Sequence, residues 1–228
     1  MSLEAKISAA GVLLERIQDE FSPATLASSL GAEDMVLTDL IARHAPNIEV
    51  FSLDTGRLNP ETYDLLAQVQ QQYGDRLSLR VYYPDAAALQ HYVEQQGINA
   101  FYQSVELRKA CCGIRKVEPL QRALAGKQAW ITGMRRGQSS GRAELATQEW
   151  DESHGLQKFN PLADWTEKEV WQYIREREVP YNSLHDKHFP SIGCAPCTRA
   201  ISVGEDVRAG RWWWEQEGGK ECGLHIKR

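Results

Sequence analysis

Residues 24–57 read ATLASSLGAEDMVLTDLIARHAPNIEVFSLDTGR. Ala24 to Leu30 is predicted as a strand and Gly31-Ala32-Glu33-Asp34 as a turn. Met35 to His44 follows as a helix with Val36, Leu37, Leu40 and Ile41 along one side. Asn47 to Leu53 is a second strand, closed by the turn Asp54-Thr55-Gly56-Arg57. The alternation continues outward with a helix at Pro60 to Tyr73 and strands at Leu77 to Tyr82 and Ala129 to Thr132. Strands separated by helices at this spacing predict an α/β protein: an open, mainly parallel, twisted sheet with helices on both faces.

Upstream, Ile7, Ala10, Leu14, Ile17 and Phe21 recur at helical steps and predict a packing helix. Glu4, Lys6, Glu15 and Arg16 interrupt any apolar h-region, so no targeting signal is expected and a cytoplasmic location is. Beyond Asn160 the pattern changes to a helix at Thr166 to Glu178, capped by Asp164 or Thr166, and then an irregular C-terminal extension.

The composition is that of a soluble globular protein, with 42% hydrophobic and 25% charged residues among 228. It excludes collagen-like, disordered and disulfide-framework classes. No apolar run approaches the roughly 20 residues of a membrane span. The net charge of −5 is unevenly spread. Residues 108–142 carry nine cations, Arg108, Lys109, Arg115, Lys116, Arg122, Lys127, Arg135, Arg136 and Arg142, against the single acid Glu118. An acidic protein that gathers cations around a cysteine pair is arranged to attract an anion. A solvated face is the alternative for the cations of Leu107 to Leu124, which is predicted helical. The glycines and serines of Met134 to Arg142 instead make a loop, where arginines usually bind something.

In open α/β sheets ligands sit at the carboxyl ends of strands. Three loops are candidates: Ser28 to Asp34, whose helix N-terminus could hold a phosphate; Leu53 to Arg57; and the arginine loop. None has the Walker pattern. Together they point to a nucleotide-like anion.

The five cysteines are the adjacent Cys111 and Cys112, the CxxC pair Cys194 and Cys197, and Cys222 alone near the end. In a reducing compartment such a set indicates metal or catalysis rather than disulfides. Zinc needs four sulfurs about 2.3 Å from one ion. Consecutive cysteines converge poorly on so small a body, which favours an iron–sulfur cluster; zinc and an unligated buried pair remain the alternatives. Lys220 and His225 flank Cys222 and could lower its thiol pKa, giving a nucleophile on a flexible tail; a surplus thiol is the other reading.

The motifs SSLGAED (28–34), LDTGR (53–57), KACC (109–112), GMRR (133–136), IGCAPC (192–197) and ECGLH (221–225) together resemble the assimilatory adenylylsulfate (APS) reductases. These belong with the phosphoadenylylsulfate (PAPS) reductases in the adenine-nucleotide α-hydrolase-like fold. The first loop is similar to a degenerate Ser-Gly-Gly-x-Asp-Ser pyrophosphatase loop, with Ser29-Leu30 where that pattern has two glycines. The resemblance implies one reductase-like domain over 1–228, with 204–228 a mobile segment. It implies a [4Fe–4S] cluster on Cys111, Cys112, Cys194 and Cys197, and Cys222 as nucleophile. Lys116, Arg208, Arg211 and His225 would hold the sulfate end. Ser28, Ser29, Gly31, Asp34, Leu53, Asp54, Thr55, Gly56, Arg135, Arg136 and Arg142 would hold the nucleotide.

The activity so implied is reduction of adenosine 5'-phosphosulfate to sulfite and AMP through a Cys-S-sulfonate. With four cysteines committed to metal, thiol arithmetic leaves release of sulfite to an external dithiol protein such as thioredoxin. With six residues after Cys222, that dithiol is expected on a separate chain. PAPS reduction is the nearest rival. A metal-stabilised nucleic-acid-binding module is another, disfavoured by the overall acidity; neither a nucleic acid nor a membrane partner is expected.

Overall fold

The computed structural model describes residues 1–138 and 142–215. In chain order its elements are α1 (Leu3–Glu20), β1 (Ala24–Ala27), α2 (Ala32–His44), β2 (Glu49–Leu53), α3 (Pro60–Tyr73), β3 (Leu79–Tyr82), α4 (Ala86–Gln96), α5 (Val105–Cys112), α6 (Glu118–Leu124), β4 (Ala129–Ile131), β5 (Gln148–Asp151), β6 (Leu156–Phe159) and α7 (Glu167–Glu176). The strands form one six-stranded sheet in the order β3-β2-β1-β4-β6-β5. β1 runs parallel to β2 and β4, and β4 parallel to β6, while β5 is antiparallel to β6. The open, mainly parallel sheet expected from the alternation of strands and helices is present.

Differences from expectation have local causes. The helix expected over Leu107 to Leu124 is broken into α5, a π-helical turn at Gly113–Val117, and α6. Pro119 has no N–H to donate back to Arg115, and Gly113 is a weak helix former, so the ladder widens where both effects meet. The helix α4 and the β5–β6 hairpin were not anticipated. α4 starts where the Asp85 carboxylate accepts from Ala88 N (2.8 Å) and stops at Gly97, whose φ of 90° suits glycine. α7 begins, as one of two options foresaw, at Thr166, which forms a reciprocal capping box with Glu169.

The described residues divide into two compact units. The first comprises Met1–Ser52, Asp64–Arg80 and Leu124–Asn182; the second comprises Leu53–Tyr63, Val81–Ala123 and the described part of Ser183–Arg228. In the first, Leu14 and Ile17 of α1, Val36, Leu37, Leu40 and Ile41 of α2, and Val170 and Ile174 of α7 join Leu26, Val50, Ile131 and Phe159 of the strands in one core. Each such side chain contributes about 1.5–3 kcal/mol by leaving water. Among its described residues the second unit has no comparable sheet; its chain is organised around α4, α5 and the loops that carry the cysteines. Among the described residues no helix is long and apolar enough to cross a membrane.

A polar knot lies inside the first unit. The Asp39 carboxylate, 1% exposed, accepts from Tyr173 OH (2.6 Å), Tyr73 OH (3.1 Å) and Arg43 Nε (2.7 Å). It thereby joins α2 to α3 and α7. Asp39→Ala strands two buried hydroxyls and is expected to lower the unfolding free energy by about 3 kcal/mol. Urea denaturation measures this, and Asp39→Asn should recover part of the loss.

Candidate active site

In the first unit, β1 is flanked by β2 on one side and β4 on the other, so the strand order reverses there. Such switch points leave a crevice at the carboxyl ends of the strands. Two expected loops meet at this one: Ser28 to Asp34 after β1, and Thr132 to Gln138 after β4. The Asp34 carboxylate accepts from both the backbone N and the hydroxyl of Ser29, each at 2.7 Å, and pulls the loop into a tight arch. Leu30 sits at its apex with φ 61°, a left-handed conformation that costs a leucine about 1–2 kcal/mol. The glycine of the pyrophosphatase pattern at this place has a backbone reason, and Leu30 offsets it by burying its side chain. A Cβ on Gly133 would lie 2.3 Å from Asp34 Oδ1, so only glycine lets the two loops approach this closely.

The arginines of the second of these loops are already paired. Arg135 is buried, with its guanidinium on Glu33 (2.7 Å) and on the Trp165 carbonyl (3.3 Å). Gln138 also donates to Glu33 (3.0 Å) and to the Gly133 carbonyl (3.3 Å). Arg136 binds Asp164 and the Leu145 carbonyl, and Arg142 donates to Gln138. Glu33 and Gln138, which the sequence reading did not single out, thus hold the two loops together.

The second unit holds the other group. Cys111 and Cys112 end α5, and Cys194 precedes the short 3-10 turn Ala195–Cys197, of which Cys197 is the last residue. All four are free thiols. Burial pushes the Cys197 thiol up to about 12, and the negative charge available on Cys194, Cys112 and Cys111 adds to the rise. Cys111 is likewise raised, by burial first. Cys194 is the exception. Burial acts on it as well, but Lys116, a Thr55 hydroxyl contact at 3.2 Å, Arg211 and Arg115 outweigh it and bring its pKa below the ordinary thiol value. Among the described residues no three His, Cys, Asp or Glu side chains converge as a single metal ion requires. Four soft donors within electrostatic reach of one another, ringed by cations, suit a larger anionic thiolate-bound body.

The Leu53 to Gly56 loop, expected to hold the nucleotide, belongs to this unit, where its Thr55 hydroxyl lies against Cys194. Gly56, at φ 70°, donates to Asp54 Oδ1 (2.7 Å), which also accepts from Tyr63 OH (2.9 Å). Burial and that carboxylate push the Tyr63 hydroxyl up to about 12. Arg115 donates to the Thr55 carbonyl, and Ala195 N to the Arg57 carbonyl (2.8 Å), so the LDTGR turn is tied to the π-helical turn that follows Cys112 and to the CxxC turn. Arg211 lies against Gly193, where a Cβ would come within 2.4 Å of the guanidinium, and donates to the Ile192 carbonyl (3.3 Å). Arg208 is half-buried and donates its N–H to Asp206 (2.8 Å). Cys222 and His225 lie outside the described residues.

The phosphoadenosine phosphosulfate reductase domain profile matches residues 23–200. Adenosine 5'-phosphosulfate reductase of Allochromatium vinosum is 56% identical over 98% of this chain and 87% of its own length. The Burkholderia cepacia protein of the same name is 54% identical over 98% of this chain and 89% of its own. Among solved structures, the phosphoadenylyl-sulfate reductase of Candida auris superposes with a TM-score of 0.72 at 28% identity, over 87% of this chain and 96% of its own. FMN adenylyltransferase of Candida glabrata shares the fold at a TM-score of 0.57 and 14% identity, over 98% of this chain and 79% of its own.

Burial raises the Asp34 carboxyl to about 6, against the lowering effect of its Ser29 bonds and with a further rise from neighbouring Glu33. The folded state therefore binds this proton more tightly than the unfolded state, and the group's contribution to stability falls as pH rises from about 4 to 6. Asp34→Asn, which keeps an acceptor for Ser29, is expected to open a stability advantage over the parent across that window, reaching about 3 kcal/mol above it. Paired thermal melts from pH 4 to 8 check the sign; an advantage independent of pH would contradict it.

Proposed function

The chain belongs to the phosphoadenosine phosphosulfate reductase domain family, and from that membership we propose that it reduces adenosine 5'-phosphosulfate to sulfite and AMP in sulfate assimilation, with thioredoxin or a similar dithiol protein as reductant. It is an oxidoreductase acting on a sulfur group. The observation that carries the reading is the gathering of Cys111, Cys112, Cys194 and Cys197 under Lys116, Arg115 and Arg211. Those four residues would hold a [4Fe–4S] cluster, which when bound supplies a fixed local field beside the sulfate.

The chemistry falls to the chain's own residues. The switch-point loops of the first unit, Ser28 to Asp34 and Gly133 to Arg136, bind the nucleotide. Backbone N–H groups at the start of α2 face the phosphate, because the arginines nearby are spent on Glu33 and Asp164. Lys116, Arg208, Arg211 and His225 take the sulfate oxygens. The Cys222 thiolate attacks the sulfate sulfur, the S–O bond to the phosphate breaks, and AMP leaves with that electron pair. Cations stabilise the charge as it moves onto the leaving phosphate. A thiolate of the dithiol protein then attacks the Cys222 sulfur and expels sulfite. Its second thiol breaks the mixed disulfide, so the dithiol protein ends oxidised and Cys222 returns as a thiol. The higher identity to relatives named for adenosine 5'-phosphosulfate favours that substrate over PAPS, and side-by-side rates with both separate them.

Cys222→Ser is expected to retain visible iron absorption and substrate binding while sulfite production drops to background. A normal rate of sulfite formation by that variant sinks the assignment. Cys194→Ser should instead lose iron together with activity, read as iron per chain in anaerobic protein.

A further inference from the structure

A buried ion pair in the second unit is made by two residues outside the expected site. Arg108 and Glu215 have side chains only 1% and 5% exposed, and they meet through two parallel bonds, Nε to Oε1 at 2.8 Å and an Nη to Oε2 at 2.9 Å. Arg108 stands on α5 one helical turn before Cys111. Its guanidinium also lies 4.7 Å from the centre of the Trp212 ring, which Arg211 approaches at 4.8 Å. Glu215 is seven residues before Cys222.

We propose that the Arg108–Glu215 pair is a positioning device: it pins the root of the segment bearing Cys222 to the helix that carries Cys111 and Cys112, and so sets where the nucleophile can strike. This rests on Cys222 being the nucleophile. The root is held on its other side as well. Trp212 N donates to the Cys197 carbonyl (3.2 Å), Arg199 N to the Gly210 carbonyl (3.0 Å), and Trp214 packs edge-on against Tyr102 (4.5 Å), whose hydroxyl donates to the Pro196 carbonyl (2.7 Å). Residues 210–215 are thus fastened to the CxxC turn by backbone and ring contacts and to α5 by the ion pair.

A buried ion pair is a poor way to gain stability, because desolvating both charges cancels most of their attraction. What two parallel bonds add is direction. Seven residues span at most about 25 Å, so the position of Glu215 bounds where the Cys222 thiol can lie. A small error there is costly, since about 1 Å of misplacement lowers a rate on the order of a hundredfold.

The test is single-turnover S-sulfonation of Cys222, followed by mass spectrometry, in anaerobic protein with its full iron content. Glu215→Gln is expected to slow sulfonation on the order of tenfold to a hundredfold, with affinity for adenosine 5'-phosphosulfate held within about twofold and the visible spectrum unchanged. Because Glu215→Gln removes one charge of a buried pair, the double variant Arg108→Met/Glu215→Met is measured beside it; it removes both charges and should be equally slow. Normal sulfonation in the folded double variant overturns the proposal. So does an equal loss of substrate affinity, which would make the pair part of the binding pocket. Sulfite production by the parent with no sulfonate on Cys222 would overturn the nucleophile assignment itself, and is read in the same spectra.

Discussion

Thiols packed near one another in a protein interior resist ionisation, since each negative charge raises the cost of the next and burial raises the cost of all. Cys111, Cys112, Cys194 and Cys197 face that constraint together, and much of the second unit answers it. Lys116, Arg115 and Arg211 bring positive charge to Cys194, and the Thr55 hydroxyl lies on its sulfur. These partners must themselves be held. Arg115 leans on the Thr55 carbonyl, Arg211 on the Gly193 turn, and Arg57 spans the Ile98 carbonyl (2.6 Å) and Asn99 (2.9 Å) while its own carbonyl receives Ala195. The loops that look irregular in sequence are therefore a scaffold for cations.

The first unit solves a different electrostatic problem. On the proposed reading its crevice admits an anion, yet Glu33 and Asp34 stand in the loop itself. Asp34 turns inward to shape the arch through Ser29, and Glu33 neutralises Arg135. A nucleotide held here, as proposed, would meet backbone donors rather than mobile side-chain cations, so less conformational freedom would be lost on binding.

The alternation of strands and helices over 24–82 was legible because each element carries its own apolar period, and Pro60 to Tyr73 was placed at both ends by its flanking turn residues. β5 and β6 escaped because QEWD and LQKF are four-residue strands without a clean alternation; they exist through pairing with each other and with β4. In the site, the cysteine quartet could be found from spacing, whereas Lys116 stood out only as one of nine clustered cations and took its role from the family resemblance. Thr55 could be found only as a loop residue, and its contact with Cys194, 139 positions away, belongs to the fold. Glu33 and Gln138 left no signal, being ordinary polar residues until the fold brings Arg135 and Gln138 to donate to the Glu33 carboxylate.

The π-helical turn at Gly113–Val117 has a further consequence. A helical residue advances the direction of its side chain by about 100°, and a widened turn absorbs part of one such step. Arg115 and Lys116 are therefore phased differently from the thiols of α5 than an unbroken spiral would leave them. Shortening this turn by one residue would re-aim both cations while sparing every cysteine. Loss of the bulge would thus look, in a bare comparison of motifs, like no change at all.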